Sequence, residues 1–309
     1  MTRGGKMARR SHLLNATAFL ALGASGLAML GTQTANAQAY CPSAGNWGGT
    51  GYCQADSSAH TDLSVANKAP LFSAIKRADE WIAKEKREQA ADASLKASQF
   101  PVNMKKALAG DAEAQCQVGR AYYREWGVQK DETLALEWFR KAALRGNACG
   151  ENALGASYLY GEGIAKDYHL ALVWLQKAAA KGNQKAEEHL GDIYFNGWGV
   201  EKNFTTALAL YRKAAAQGNA NAELGIGYMY DTGLGVKQDY TQANFWYRKA
   251  ADQGNGDGEG NLGIHYQNGQ GVKGDSEMAA YWYRRGAEHE NTNAAINLKN
   301  QLGDMQVPN

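Results

Sequence analysis

The sequence predicts an all-α fold, a right-handed superhelical solenoid of stacked antiparallel helix pairs, and three observations carry that expectation. The pattern of the stretch from Ala180 to Ala215 is repeated by the thirty-six residues that follow it, down to the shared YRKAA close. The register then holds along the chain: Gly110, Gly146, Gly182, Gly218 and Gly254 stand one period apart, as do Tyr122, Tyr158, Tyr194, Tyr230 and Tyr266. Within each unit the apolar residues fall at helical spacing. A fixed period of this length marks an array whose units bury their apolar faces only against one another.

Each recurring residue has a mechanical reading. Ala186, Leu190 and Tyr194 fall at i, i+4 and i+8, one stripe of a first helix A, and Gly191 beside them admits a neighbouring helix at close range. Asn196, Gly197, Trp198 and Gly199 supply two residues able to take positive φ in a sharp turn. Asn203, matched by Asp131, Asp167, Asp239 and Asp275, offers a side-chain oxygen to the free amides of helix B, a cap of about 1 kcal/mol. Helix B carries Ala207 with Leu210 and Tyr211, whose equivalents include Trp138, Trp174, Trp246 and Trp282. Gly218 then caps its C-terminus.

The LGxxYxxGxGVxxD core and the WYRKAA close resemble the SEL-one-like repeat (SLR), a relative of the tetratricopeptide repeat. The best copies hold Leu154, Gly155, Tyr158, Gly161, Gly163 and Asp167, and Tyr230, Gly233, Gly235, Val236 and Asp239. Five repeats fit residues 110–287. The first departs from the pattern with Glu125 in place of Gly, and the fifth opens on a glycine-rich run, 254–261, that weakens its helix start.

Outside the array, residues 1–37 read as a signal peptide. Arg3, Lys6, Arg9 and Arg10 precede an apolar run, and Ala35, Asn36 and Ala37 form a small-x-small cleavage site. Residues 38–69 form a glycine-rich segment and linker, with Cys41 and Cys53 placed to close a disulfide loop. Residues 70–109 hold a long helix over about 71–98, which Pro101 is expected to stop, and a half-repeat cap. Residues 288–309 supply a C-terminal capping helix and tail. Cys116 and Cys149 map to facing surfaces of neighbouring A helices, and their spacing leaves open whether they are bridged or buried as free thiols.

Of 309 residues, 33 are basic and 31 acidic. Removal of the leader takes four basic residues and leaves a net charge near −2. That balance offers no electrostatic ground for nucleic acid or an anionic membrane surface. The expected product is therefore a periplasmic or secreted monomer with no stable membrane insertion.

Catalytic patterns are sparse. Ser73 and Lys76 spell the SxxK of penicillin-recognising enzymes, but no partner motif accompanies them, and a charged helix is the wrong setting. The resemblance to exported SLR proteins keeps one alternative open, weak binding or hydrolysis of β-lactams or peptidoglycan. His60, His169, His189, His265 and His289 stand at no paired ligand spacing on one helix, so they read as core or surface residues, with no metal or other cofactor implied. Asp257, Gly258 and Glu259 lack the ligand ladder of a calcium loop. The helix B tryptophans read as packing rather than as a sugar platform, whereas Trp126 and Trp198 fall in turns and are expected at the surface.

Stacked A helices line the inner face of such an array, and the positions opposite the core stripe vary freely from repeat to repeat. Arg120, Tyr123, Asn152, Glu188, Asp192 and Tyr228 are the partner-binding candidates on that strip. Their mixed polar and aromatic character suits an extended peptide or a partner's loop. The resemblance adds an expected role as a non-enzymatic scaffold or adaptor of the bacterial cell envelope.

Overall fold

The computed structural model describes residues 69–303. The leader and the Cys41–Cys53 pair lie outside the described residues. Among the described residues there are twelve helices and no strand: α1 (Ala69–Leu108), α2 (Ala112–Arg124), α3 (Glu132–Leu144), α4 (Ala148–Tyr160), α5 (Tyr168–Ala179), α6 (Gln184–Asn196), α7 (Phe204–Ala216), α8 (Ala220–Thr232), α9 (Tyr240–Asp252), α10 (Gly256–Asn268), α11 (Ser276–Glu288) and α12 (Thr292–Leu302). The even-numbered helices from α2 to α10 are the A helices of five hairpins, the odd-numbered ones from α3 to α11 are the B helices, and α12 begins a sixth A helix.

The hairpin rests on two repeated devices. At the A–B turn, Gly197 ends α6 with φ of 75° and Gly199 follows at 70°. The next helix is then capped by Asn203, whose side chain accepts the Thr206 amide at 2.9 Å. Asp131, Asp167, Asp239 and Asp275 cap their B helices in the same way. In the first repeat Glu125 takes the left-handed conformation at φ of 59°, where the other repeats use glycine. For a residue with a Cβ that costs about 1–2 kcal/mol.

The second device is close approach. A Cβ built on Gly191 would stand 2.4 Å from the ring of Tyr211, and the equivalent clash at Gly263 is with Tyr283, also at 2.4 Å. The glycine of helix A is the socket for the aromatic ring of helix B. Tyr211, Tyr247 and Tyr283 are all fully buried as a result.

Burial also runs through a ladder of carboxylates. Glu151, Glu187, Glu223 and Glu259 recur one period apart, each in the first turn of an A helix and each buried. Each is held by a residue thirty positions on: Lys181 at 2.6 Å, Gln217 at 2.7 Å, Gln253 at 2.6 Å and His289 at 2.7 Å. Glu223 and Glu259 gain a second partner from their B helices, Lys249 and Arg285, each at 2.7 Å. A buried acid left without such partners is strongly destabilising, so each rung ties its hairpin to the start of the next.

The N-terminal helix differs from its expected form. It runs unbroken to Leu108 with Pro101 inside it. Proline removes the donor that the Ala97 carbonyl needs, and that carbonyl instead lies against Gly127, whose missing side chain makes room for it. A 40-residue helix is about 60 Å long, and its two ends pack on opposite ends of the array. Leu71 and Ile75 join Tyr283, Ala294, Leu298 and Leu302 in one core. Met104 and Ala107 join Val118 and Trp138 in another. Residues 86–95 between them are exposed on every side. The terminal helix α12 shares that core through Ala294, Leu298 and Leu302 and leaves Ile296 and Lys299 exposed on its outer face.

Candidate functional site

The A helices place the candidate residues unequally. Arg120 on α2, Tyr123 one turn nearer its end and Asn152 on α4 are half-buried. Glu188, Asp192 and Tyr228 are buried, with Asp192 wholly enclosed, so their expected role as surface contacts is corrected. The reason is crowding. Each A helix packs on its own B helix, on the B helix before it and on its A neighbours. A position opposite one apolar stripe therefore meets another helix rather than solvent.

Cys116 and Cys149 are bridged, with Cα atoms 6.1 Å apart, which staples α2 to α4 beneath this strip. Asn152 keeps its side-chain oxygen buried without a hydrogen-bond partner. Tyr123 donates its hydroxyl to Glu162 at 3.0 Å, and Arg124 and Lys130 approach its ring at 5.4 and 5.8 Å. Trp126 is half-buried, with Lys96 of α1 at 4.5 Å and Arg120 at 5.7 Å from its ring. Trp198 stacks on Tyr168 at 6.2 Å. Neither indole is the open surface residue its turn position suggested.

The basic side chains of this region converge. Burial first, then Arg120, Arg124 and Lys96, holds the Lys185 ammonium on α6 below its ordinary value. Burial and then Arg124 do the same to Arg120. Among the described residues no carboxylate lies within ion-pair distance of Arg120, Arg124 or Lys185, whereas Glu151, Glu223 and Glu259 on the ladder all have cations. Arg124 and Lys185 were not among the sequence candidates. Only the packing of α2 and α6 against α4 brings Lys185 near Arg120.

One turn along α6 from Lys185 stands a different group. Glu188 Oε1 and Asp192 Oδ2 lie 3.6 and 4.0 Å from His189 Nδ1. Tyr160 of α4 reaches the same imidazole nitrogen at 3.3 Å and donates to Asp192 Oδ2 at 3.4 Å. Tyr211 of α7 donates to Asp192 Oδ1 at 2.8 Å. Burial, and after it the charge of Glu188, pushes Asp192 up to about 8. Burial lowers His189, but Glu188 and Asp192 outweigh it and hold the imidazole above its usual value. The adjacency of Glu188 and His189 was visible in the sequence, but the tyrosines that complete the group come from other helices, Tyr160 from the repeat before and Tyr211 from the B helix of the same hairpin.

The remaining sequence features resolve as structure. Ser73 and Lys76 lie on an exposed face of α1, where Arg77 donates to the Ser73 hydroxyl at 3.3 Å. Trp138 and Trp282 are buried, and Trp138, Trp174 and Trp246 each lie under a lysine one turn on, at 4.1, 4.2 and 4.8 Å. Glu259, read as part of a loosened helix start, is a buried ladder acid. Among the described residues no helix is long and apolar enough to cross a membrane.

Helical hairpins of constant period, joined by glycine turns and packed in series, define an α-solenoid of the interaction-repeat class. The Sel1 repeat model matches residues 112–147, 150–183, 184–219, 220–255 and 257–291, and the chain belongs to that family. Sel1-repeat proteins mediate protein–protein association. A search of curated proteins finds no match. Among solved structures, the chain is similar to a Sel1 repeat protein from Oxalobacter formigenes, with 32% identity, a TM-score of 0.58 and coverage of 68% of this chain and 86% of that one. It is also similar to a protective antigen with an SLR fold present in uropathogenic Escherichia coli strains, at 37% identity and a TM-score of 0.54. That match covers 64% of this chain and only 43% of the antigen.

Proposed function

We propose that the protein is a non-enzymatic scaffold of the bacterial cell envelope, periplasmic or secreted, that holds a peptide or loop of another protein against the inner face of its A helices. The observation that supports this is the gathering of Arg120, Arg124 and Lys185, none of them in an ion pair, in an array whose ladder acids Glu151, Glu223 and Glu259 each have a cation. Like charges gathered on a partly exposed face repel one another, and an acidic partner segment relieves that repulsion. Tyr123 and Asn152 flank the basic side chains and add an aromatic edge and an amide.

Partner capture from native periplasmic extract tests the reading. The double charge reversal R120E/R124E should lose proteins that the unaltered chain retains, and the loss should be mimicked by raising salt. Identical capture by both forms removes this face from consideration.

A further inference from the structure

The Glu188, His189 and Asp192 group lies one turn along α6 from Lys185 of the basic cluster and is chemically distinct from it. Their ligand atoms, one from each side chain, all lie within 4.8 Å of one another. Glu188 is 4% exposed, yet it makes no hydrogen bond, and its one ion pair is the 3.6 Å approach to His189. Every ladder glutamate has a close donor, whereas Glu188 has none and its oxygens keep a path to water. One of those oxygens lies within 4.8 Å of the His189 and Asp192 ligand atoms.

We propose that this group is a binding site for a divalent first-row metal ion of the zinc or manganese type. One imidazole nitrogen and two carboxylate oxygens form a borderline to hard ligand set, which suits such ions rather than copper(I) or an iron–sulfur cluster. Zinc held at about 2.0–2.2 Å in a tetrahedral site has ligand atoms about 3.3–3.6 Å apart. The Glu188–His189 pair already meets that at 3.6 Å, and the group, whose atoms lie within 4.8 Å of one another, closes on the ion by side-chain rotations that shift those atoms about an ångström.

The surroundings match what such a site needs. Tyr211 holds the second oxygen of Asp192 at 2.8 Å and so orients the ligand from outside the coordination shell. Tyr160 is positioned beside both His189 and Asp192, as a further ligand or as donor to a bound water. The His189 side chain is 12% exposed, which gives an ion a path in. Lys185, one turn away on the same helix, is exposed. Three protein ligands leave a coordination position free, and that position is open to a carboxylate or water. The site is independent of the partner proposed above.

Metal binding by the untagged, chelator-stripped full chain is the test, read as zinc retained in equilibrium dialysis and as cobalt(II) absorbance. One ion per chain is expected. Glu188→Gln should weaken it by at least about tenfold, because it removes a ligand that holds nothing else in place. His189→Ala should abolish the cobalt absorbance, and His169→Ala, at an exposed histidine, should leave both readouts unchanged. Circular dichroism keeps a folding failure of the His189 variant separate from a binding failure, and Glu188→Gln carries the test if that variant unfolds. Equal affinity in the unaltered chain and Glu188→Gln, or no ion bound at millimolar concentration, overturns the proposal.

Discussion

The two ends of α1 dock on the array by different physics. At its C-terminal end the contact is apolar and short-ranged: Phe100 meets the edge of Tyr122 at 5.8 Å, and Met104 and Ala107 fill the space that an earlier B helix would fill. At its N-terminal end an apolar strip of Leu71, Ala74, Ile75, Ala78 and Ile82 is flanked by charge. Asp79 pairs with Arg284 at 2.7 Å, Glu85 with His289 at 3.0 Å, Lys86 with Glu288, and Arg285 lies 3.3 Å over the Trp81 ring. The first end is an integral half-repeat. The second is a latch built largely of ion pairs, whose strength depends on salt and pH.

The largest effect should come from Arg285, where the latch meets the core. It is 2% exposed, it pairs with Glu259, and it also donates to the Ala251 carbonyl at 2.7 Å. Arg285→Ala leaves Glu259 buried with His289 alone, and about 3–5 kcal/mol of stability should be lost in urea unfolding. A loss below about 1 kcal/mol would mean that the ladder bears no weight at its last rung.

Ile75→Ala comes next. Ile75 is 3% exposed in the core shared with α12, and its truncation should cost about 2–4 kcal/mol. The comparison predicts where the cost is felt: amide exchange should quicken over residues 71–82 and stay slow over 102–108. Uniform quickening along α1 would show that the helix docks as one unit and that its two ends do not differ.

Legibility in the sequence followed the same divide. The hairpins, the glycine turns, the Asn203 class of caps and the Gly191 socket were readable because a repeat presents the same physical problem five times. The fate of Glu188, Asp192 and Tyr228 was not, since helical spacing identifies one buried stripe and is silent on how many neighbours a curved stack presses on the other. The recurrence of Glu151, Glu187, Glu223 and Glu259 was in plain view. Its meaning needed the partner thirty residues on, a spacing that belongs to no helix. Pro101 misled because its rule concerns an isolated helix, and here Gly127 of another element accommodates the freed carbonyl.

The latch should also respond to pH. Hydrogen bonding to Glu259, opposed by burial and aided by the charges of Glu259 and Glu85, holds His289 above its ordinary value. The groups that face it are Glu85 of α1, Glu259 of α10 and the Trp81 ring, with Arg285 on its own helix beyond Glu259. A raised histidine contributes stability that is complete below the unfolded value of about 6.5 and is lost as pH rises through the folded one. Melting temperature should therefore fall by about 2–4 °C from pH 6 to pH 9, and His289→Gln should flatten that slope. An unchanged slope in the variant would place the titration elsewhere.

The smallest effect should be at Lys86, the last residue of α1 to touch the array from this side. Its ammonium is largely exposed, and the Glu288 carboxylate it meets stands close to Arg284 as well. Exposed pairs of this kind contribute about 0–1 kcal/mol and are screened by salt. Lys86→Ala should change global stability by less than about 0.5 kcal/mol, yet quicken exchange at residues 83–87 in low salt and not in 1 M salt. The local change would mark Lys86 as the outer edge of the latch. Salt-independent quickening would instead assign that edge to the packing of the lysine stem on its neighbours, and the electrostatic part of the latch would then end at Glu85.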